Sequence, residues 1–309
     1  MTRVSVVGAS GRQGLAQIRQ LRAAGYEVRA ISRQPERFQG DEHQGVEVRS
    51  ADLFDEATLA PAFEGSDAIF YNHPVSARFD RPRLVAAVGR AGKAVDVKRL
   101  VWNTSSWIPD RPGDPFTYGN NTEALNALWR TGAPATVFGS VLFMDNLLTD
   151  FARPYIVHES RFHYPHSEGL RANWISLDDV ARIMIASLDR PDFEGSWMNI
   201  GGPQRLGPRD VAAALSEALG REIRYDPCTP QAFGRTLAAA LGDYIPEEQR
   251  TRYAEGIAEF YEYNNTAPTR PFEVDIDYQA SRLPIRLETL LDWAKRQDWS
   301  DGANRPSGG

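Results

Sequence analysis

The feature that most constrains this chain is its first fourteen residues, MTRVSVVGASGRQG. Val4, Val6 and Val7 make a short β-branched run. The run leads directly into Gly8, Gly11 and Gly14, spaced by three, and apolar residues follow at Leu15, Ile18 and Leu21 with helical period. A strand, a glycine-rich turn and a helix in that order open a dinucleotide-binding fold. Gly8 permits the tight turn off the strand. Gly11 lets backbone approach a pyrophosphate with no Cβ in the way, and Gly14 lets the helix lie close to the sheet. Ser10, Arg12 and Gln13 fill the turn between them. Phosphates would rest on the free N–H groups at the helix N-terminus, where the dipole favours negative charge.

The first half of the chain repeats this rhythm. Strand-like runs at residues 26–32, 46–49, 68–72 and 100–103 alternate with helical patterns at 56–63, 82–91 and 121–129, and a sixth strand starts at 136–138. Such alternation predicts right-handed crossovers and a parallel sheet with helices on both faces, the α/β class of Rossmann-type, doubly wound folds. After residue 150 the rhythm breaks. Residues 151–172 are rich in aromatics and histidines and read as a hairpin or an ordered loop. Ser176 with Asp179 forms a capping pair ahead of a helix, and residues 197–200 read as a strand returning to the sheet. From 207 onward the pattern is mainly helical, at 209–219, 231–241, 247–261 and 286–295, with a short strand at 223–225 and a polar loop at 264–271. The expected organisation is a nucleotide-binding region over 1–150 that also receives 174–202. Residues 151–173 and 203–309 would form a smaller, mainly helical substrate-binding cap.

Bulk properties narrow the function. A net charge of −6 argues against a nucleic-acid surface, which carries a basic stripe. No apolar run reaches the roughly 18 residues of a membrane span, and the first strand begins at once, so a cytoplasmic protein without a leader is expected. The one cysteine, Cys228, excludes an internal disulfide and sits in a polar stretch away from any histidine, an ordinary residue rather than a nucleophile. His158, Glu159, His163 and His166 invite a metal reading, but the spacing is wrong for a zinc helix and Pro165 interrupts it, so no metal is expected.

Which dinucleotide is bound is decided at the end of the second strand. An acid there accepts from the ribose hydroxyl of NAD. This chain has Ser32 and Arg33 instead, and Arg12 is placed to approach the same ribose from the other side. Two guanidiniums around one phosphate give charge-assisted, bidentate contacts, which predicts NADP(H); the alternative is that both are solvated surface arginines. Asp52 and Leu53 follow the third strand, where the carboxylate either accepts from the adenine amino group, with Leu53 against the ring, or is a helix cap or loop acid. Asn72, His73 and Pro74 follow the fourth strand on the edge that faces the cofactor. His73 is open to contact ribose, pyrophosphate or substrate.

Several motifs together resemble the NmrA-like branch of the atypical short-chain dehydrogenase/reductases. They are GASGRQG at 8–14, Ser32-Arg33, Asp52-Leu53, Asn103-Thr104-Ser105-Ser106, Thr122-Glu123, Gly132, Phe143-Met144-Asp145-Asn146-Leu147, ISLDDVAR at 175–182 and WMNIGGP at 197–203. The resemblance spans residues 1–225. It implies an NADP(H) site drawing also on Asn103, Thr104, Asn121, Gly139, Val141 and Phe143. It implies either a reductase of quinones, ketones and related compounds or a redox sensor that contacts a partner protein.

Enzymes of the wider superfamily pair a serine with a tyrosine four residues before a lysine. The serine position corresponds to Ser105, but the lysine position falls on Asn121 and the residue four before it is Thr117. Tyr118 is one place out of register. The proton for a reduced carbonyl would then come from Tyr118, Ser105, His73, water or the substrate itself, with Asn121 hydrogen-bonding the ribose. A second departure, Gly139-Ser140 where relatives carry Arg-Pro, predicts a wider site over the nicotinamide. Trp107, Met144, Asn146 and Trp174 are expected to line the substrate pocket, with Phe162, His163 and Tyr164 pointing into it from a flap. The expected activity is NADPH-dependent hydride transfer to a carbonyl or quinone of a small, flat, aromatic substrate.

Overall fold

The computed structural model describes residues 2–38, 44–74, 80–109, 119–242 and 244–300. In chain order its elements are β1 (Arg3–Val7), α1 (Arg12–Ala23), β2 (Glu27–Ser32), β3 (Glu47–Ser50), α2 (Leu59–Phe63), β4 (Ala68–Asn72), α3 (Arg81–Ala94), β5 (Arg99–Asn103), α4 (Gly119–Trp129) and β6 (Ala135–Ser140). There follow β7 (Leu142–Phe143), α5 (Arg153–Glu159), β8 (Arg161–Tyr164), β9 (Trp174–Ile175), α6 (Leu177–Ala186), β10 (Ser196–Ile200), α7 (Pro208–Leu219), β11 (Arg224–Pro227), α8 (Pro230–Ala240), α9 (Glu247–Thr266), α10 (Ile276–Arg282) and α11 (Leu290–Lys295).

Seven strands form one sheet in the order β10-β6-β5-β4-β1-β2-β3, and every pair in it is parallel. The central strands are buried on both faces, so they read as continuous apolar runs such as AIFYN. Alternate residues feed two layers. Tyr71, Leu100, Trp102 and Val137 meet α2, α3 and α4 on one side. Val6, Phe70, Val101 and Phe138 meet α1 and α6 on the other. Two close approaches set the register of β1 and α1. Gly8 has φ +71°, a left-handed conformation that disfavours other residues. A Cβ on Gly14 would stand 2.4 Å from the Gly8 carbonyl oxygen, inside van der Waals contact.

A third core lies under the C-terminal helices, built on Trp107, Leu142, Phe162, Tyr164, Trp174, Phe233 and Trp293 among others. Two small parallel ladders support it, β7 with β9 and β8 with β11. The segment expected as a hairpin or loop is therefore helix α5 followed by β8, whose partner is 63 residues downstream rather than adjacent. Ser176 caps α6 as expected, accepting from Asp179 N at 3.1 Å. Helix α9 runs to Thr266, into the stretch expected as a loop, and α10 was not anticipated. Helix α11 starts only at Leu290, because Pro284 and an extended segment precede it. No helix among the described residues is long and apolar enough to cross a membrane.

Candidate active site

The seven parallel strands all end on the same edge, and the glycine turn lies there between β1 and α1. Gly11 is the N-cap of α1 and no side chain caps that helix. The Gly11 N–H bonds the Gly8 carbonyl and Leu15 N bonds Gly11 O, which leaves the first-turn amides of α1 without backbone acceptors. A Cβ on Gly11 would meet only the Gly8 oxygen, at 3.4 Å, so its outer side is open. Uncapped amides on an open, exposed turn fit a phosphate.

Beside this turn runs a chain of polar side chains. Asn103, fully buried at the end of β5, donates to Gln13 Oε1 (2.6 Å) and accepts from Ser140 Oγ (2.7 Å) and from Ser105 N (3.2 Å). Gln13 Nε2 donates in turn to Ser105 Oγ at 2.7 Å. Because that bond uses a lone pair of Ser105, the serine hydroxyl hydrogen is left to point elsewhere. Ser105 also has φ +60°, a strained conformation for a residue with a Cβ. Thr104 is buried and donates to the Ser106 and Phe138 carbonyls. Asn121, in the first turn of α4, donates to Ser106 Oγ (2.8 Å) and Trp107 O (3.0 Å) and accepts from Arg81. It therefore holds the loop after β5, and Arg81 brings a cation to that place which the sequence reading did not foresee.

Other expected residues are placed as follows. Asn72 turns inward: it donates to Val7 O (3.0 Å) and exchanges amide bonds with Gln17. His73 Nδ1 lies 2.7 Å from the Tyr71 hydroxyl, and burial pushes the Tyr71 phenol up in pKa, so it stays protonated. Pro74 follows, half-buried. Ser32 Oγ accepts from Gln34 N at the end of β2. Arg33 beside it is exposed and has no hydrogen-bond or ion-pair partner among the described residues. Asp52 accepts from Phe54 N at 3.0 Å, the loop-acid alternative, with Leu53 half-buried next to it. Ser10 is half-buried in the turn. Tyr118 and Thr117 lie outside the described residues.

Three expectations are corrected. First, Arg12 is not turned toward Arg33. Its Nη1 donates to the Asp145 carbonyl oxygen at 3.0 Å. The cause is packing: α6 lies on α1, and Asp145 Oδ2 accepts from Leu177 N at the start of α6, which carries the 144–148 turn to the first residue of α1. Crowding there lowers the Arg12 pKa, with Asp145 opposing the shift, yet guanidinium stays charged. Burial likewise raises the Asp145 carboxyl, offset in part by Leu177 N–H and Arg12. Second, Gly139 does not widen the site. A Cβ there would lie 2.3 Å from Asn199 Oδ1, and Asn199 fills the space while bonding Ile108 N (2.9 Å) and O (2.8 Å). Third, His163 does not point inward with Phe162 and Tyr164. Successive residues of a strand face opposite sides. Phe162 and Tyr164 are buried, whereas His163 Nδ1 meets Asp226 at 2.6 Å and its ring packs on Tyr155.

The third core closes over this edge. Val141, Met144, Trp107 and Trp174 are buried in it, and Phe143 packs on the α1 and α6 side. Tyr164 is fully buried, its hydroxyl 3.4 Å from that of Tyr261. Burial pushes its phenol up to about 12, although hydrogen bonds with Tyr261 and Asn146 and the nearby Arg12 charge work the other way. Tyr261 could not be found from sequence, because it comes from a helix nearly a hundred residues away. No group of three or more His, Cys, Asp or Glu among the described residues is arranged to hold a metal.

An open sheet of this order, with an uncapped helix over a glycine turn, defines a Rossmann-type protein. The sequence profile of the NmrA-like family matches residues 1–296, and the chain belongs to that family. It is 31% identical over 245 residues to an NAD(P)H azoreductase of Xenophilus azovorans, covering 79% of this chain and 82% of the relative. It is 29% identical over 278 residues to a (4-alkanoyl-5-oxo-2,5-dihydrofuran-3-yl)methyl phosphate reductase of Streptomyces griseus subsp. griseus, covering 87% and 95%. Among solved structures, an NADPH-dependent quinone oxidoreductase of Escherichia coli superposes with a TM-score of 0.70 at 20% identity, covering 94% of this chain and 98% of that one.

Proposed function

We propose that this protein is an NADPH-dependent reductase of the NmrA-like family that acts on a carbonyl or quinone of a small aromatic acceptor without the usual Tyr–Lys pair. The observation that carries the reading is the junction of two features at one sheet edge. Uncapped α1 amides and an open Gly11 adjoin the Asn103–Gln13–Ser105 chain, and the aromatic third core lies directly beyond. The reductases among the relatives support the same class of chemistry.

Gly11, Arg12, Gln13 and Gly14 would hold the pyrophosphate through backbone N–H groups, and Ser32 with Arg33 the 2′-phosphate. Bound NADPH supplies hydride to the acceptor. The chain's own part is to place the acceptor and stabilise charge on its oxygen. Gln13 orients the Ser105 hydroxyl so that its hydrogen can donate to the developing oxyanion, a contact worth about 2.7–4 kcal/mol in comparable sites. Asn103 fixes Gln13, and Asn121 fixes the Ser106–Trp107 backbone. The proton that completes the two-electron reduction reaches the oxygen from Tyr118, His73 or solvent through Ser105. The aromatic core excludes water from the reacting face.

The test is NADPH oxidation, followed by absorbance, against a panel of quinones, azo compounds and aromatic ketones. Turnover with at least one aromatic acceptor is expected, and it should fall at least tenfold in Ser105→Ala with NADPH binding retained. Tight NADPH binding with no turnover across the panel would refute the reductase and leave a sensor.

A further inference from the structure

The hydrogen bond between Tyr71 and His73 decides which nitrogen of the histidine carries its proton. Tyr71 is 0% exposed, its hydroxyl lies 2.7 Å from His73 Nδ1, and the two rings meet edge-on at 74°. Nothing else among the described residues hydrogen-bonds that hydroxyl. The phenol hydrogen therefore has one place to go. Were Nδ1 to bear a hydrogen, the phenol oxygen would accept it, and the phenol's own hydrogen would be a buried donor without an acceptor, which costs about 1–3 kcal/mol. With Nδ1 accepting from Tyr71, the proton of the neutral ring sits on Nε2. Burial holds the phenol well above its ordinary range and outweighs the nearby charge of Arg81, so that hydrogen stays on Tyr71.

The strand register places the Nε2–H. Across β4 and β5, Tyr71 pairs with Trp102 and Asn72 with Asn103. His73 is thus the first residue beyond the ladder on one strand and Thr104 on the other, with Ser105 next, and such strands are about 4.8 Å apart. On its other side β4 borders β1, where Tyr71 pairs with Val7 and a Cβ on Gly8 would stand 3.0 Å from the Asn72 carbonyl oxygen. His73 therefore lies between the glycine turn and the Ser105 loop. At 9% exposure, against 0% for Tyr71, it stands at the rim of the core. A fixed N–H is of use toward an oxygen with no hydrogen of its own. A ribose hydroxyl suits either tautomer, because it both donates and accepts, whereas a carbonyl oxygen only accepts. Phosphate oxygens also only accept, but the uncapped α1 amides already serve them.

We infer that Tyr71 is a positioning residue that holds His73 in its Nε2–H form, and that this N–H is a second donor, beside the Ser105 hydroxyl, to the acceptor's carbonyl oxygen as negative charge develops on it. This rests on the reductase reading and adds to it a catalytic residue whose proton is fixed in place. His73 keeps that proton, since losing it from Nε2 would require Nδ1 to take the hydrogen of a phenol that burial holds protonated. The proton that completes the reduction then comes from Tyr118 or solvent.

The test uses the full chain saturated with NADP and isotopically labelled at histidine nitrogen. NMR reads the ring-nitrogen shifts at about pH 8, above the ordinary histidine range, and His73→Gln assigns the resonance. Wild type should show His73 with a bare Nδ1 and a protonated Nε2, and Tyr71→Phe should populate the other tautomer. Turnover is followed by NADPH oxidation with 1,4-naphthoquinone as acceptor. His73→Phe should lower kcat about a hundredfold. Tyr71→Phe should lower it about tenfold, the step of one neutral hydrogen bond, with KM and NADPH Kd within a few-fold in both. His73→Gln puts an amide N–H near the Nε2 position and nothing at Nδ1. It should recover much of the loss seen in His73→Phe, and adding Tyr71→Phe to it should cost nothing more. A merely structural Tyr71 would lower kcat equally in both backgrounds, which overturns the inference. An Nδ1–H His73 in wild type overturns it without any variant. So does a loss in His73→Phe that falls on NADPH Kd rather than kcat, which puts the N–H on the cofactor. In each of those cases turnover leaves the reductase reading standing, whereas no turnover by wild type across the acceptor panel sinks both.

Discussion

The orientation of Arg12 makes a sharp claim about cofactor choice. If Arg33 alone meets the 2′-phosphate, Arg33→Ala should weaken NADPH and leave NADH unchanged. Arg33 is exposed and has no competing partner among the described residues, so nothing must be broken before it binds a phosphate. A charge-assisted hydrogen bond contributes about 1.5–3 kcal/mol, and solvent screening at an exposed site takes it to the lower end. With 1.4 kcal/mol per tenfold, Arg33→Ala should raise the NADPH Kd about tenfold at low salt and less at higher ionic strength. Arg12→Ala removes a side chain committed to Asp145 O. It should therefore weaken NADPH and NADH alike and leave their ratio within about twofold. The assay is fluorescence titration of both nucleotides against wild type, each single variant and the double variant, at two salt concentrations. Arg12→Ala shifting the NADPH:NADH ratio as much as Arg33→Ala does would refute the reasoning, because the guanidinium must then leave Asp145 for the phosphate.

Further outcomes follow from other residues. Gly14→Ala should lower stability by about 1–3 kcal/mol, read as a fall in Tm, since the added carbon would sit 2.4 Å from backbone oxygen rather than against a flexible side chain; an unchanged Tm would mean α1 can shift off β1. Ser105→Gly should raise stability by about 1 kcal/mol, because φ +60° suits glycine, while turnover falls with the lost hydroxyl; loss of stability would show that the hydroxyl's bond to Gln13 outweighs the strain. His166 gives a pH signature. Its folded pKa, about 3, lies below the unfolded value near 6.5, so the unfolded chain binds the extra proton between them. The neutral-histidine contribution is complete above pH 6.5 and is lost as pH falls toward 3, amounting to about 2 kcal/mol at pH 5. Tm should drop more between pH 7 and pH 5 in wild type than in His166→Phe, and equal drops would place the acid sensitivity elsewhere.

Sequence made the nucleotide-binding half legible because its signals are local. The run VSVV, the three glycines and the helix after them lie within one crossover, and strands buried on both faces stand out as apolar runs. Ser176 and Asp179 marked a helix start for the same reason. What escaped depended on distant partners. The segment RFHY became a strand because residues 224–227 pair with it, and that pairing, not local period, turned His163 to Asp226. Arg12 was read as a phosphate ligand from its place in the turn, but its direction was set by α6 and the 144–148 turn. Gly139 looked like open space, which Asn199 fills from the strand alongside. His166 stood out only within a histidine pattern of the wrong spacing, and Tyr261 by nothing, because its place beside Tyr164 depends on a helix far along the chain.

The late arrival of β10 has a consequence for how the chain is made. Strand β6 has β5 on one side, and its other side stays unpaired until Ser196–Ile200 has emerged and crossed back to it. During that interval of synthesis the nascent sheet presents a bare, apolar edge that includes Val137 and Phe138, the kind of surface that invites pairing between chains. The intervening residues, which include β7, β9 and α6, must be synthesised before the edge is covered, which makes β6–β10 a contact of long sequence separation and slow closure. Crowded, rapid expression should thus be least forgiving at this one seam, and protection by a chaperone most useful while it is open.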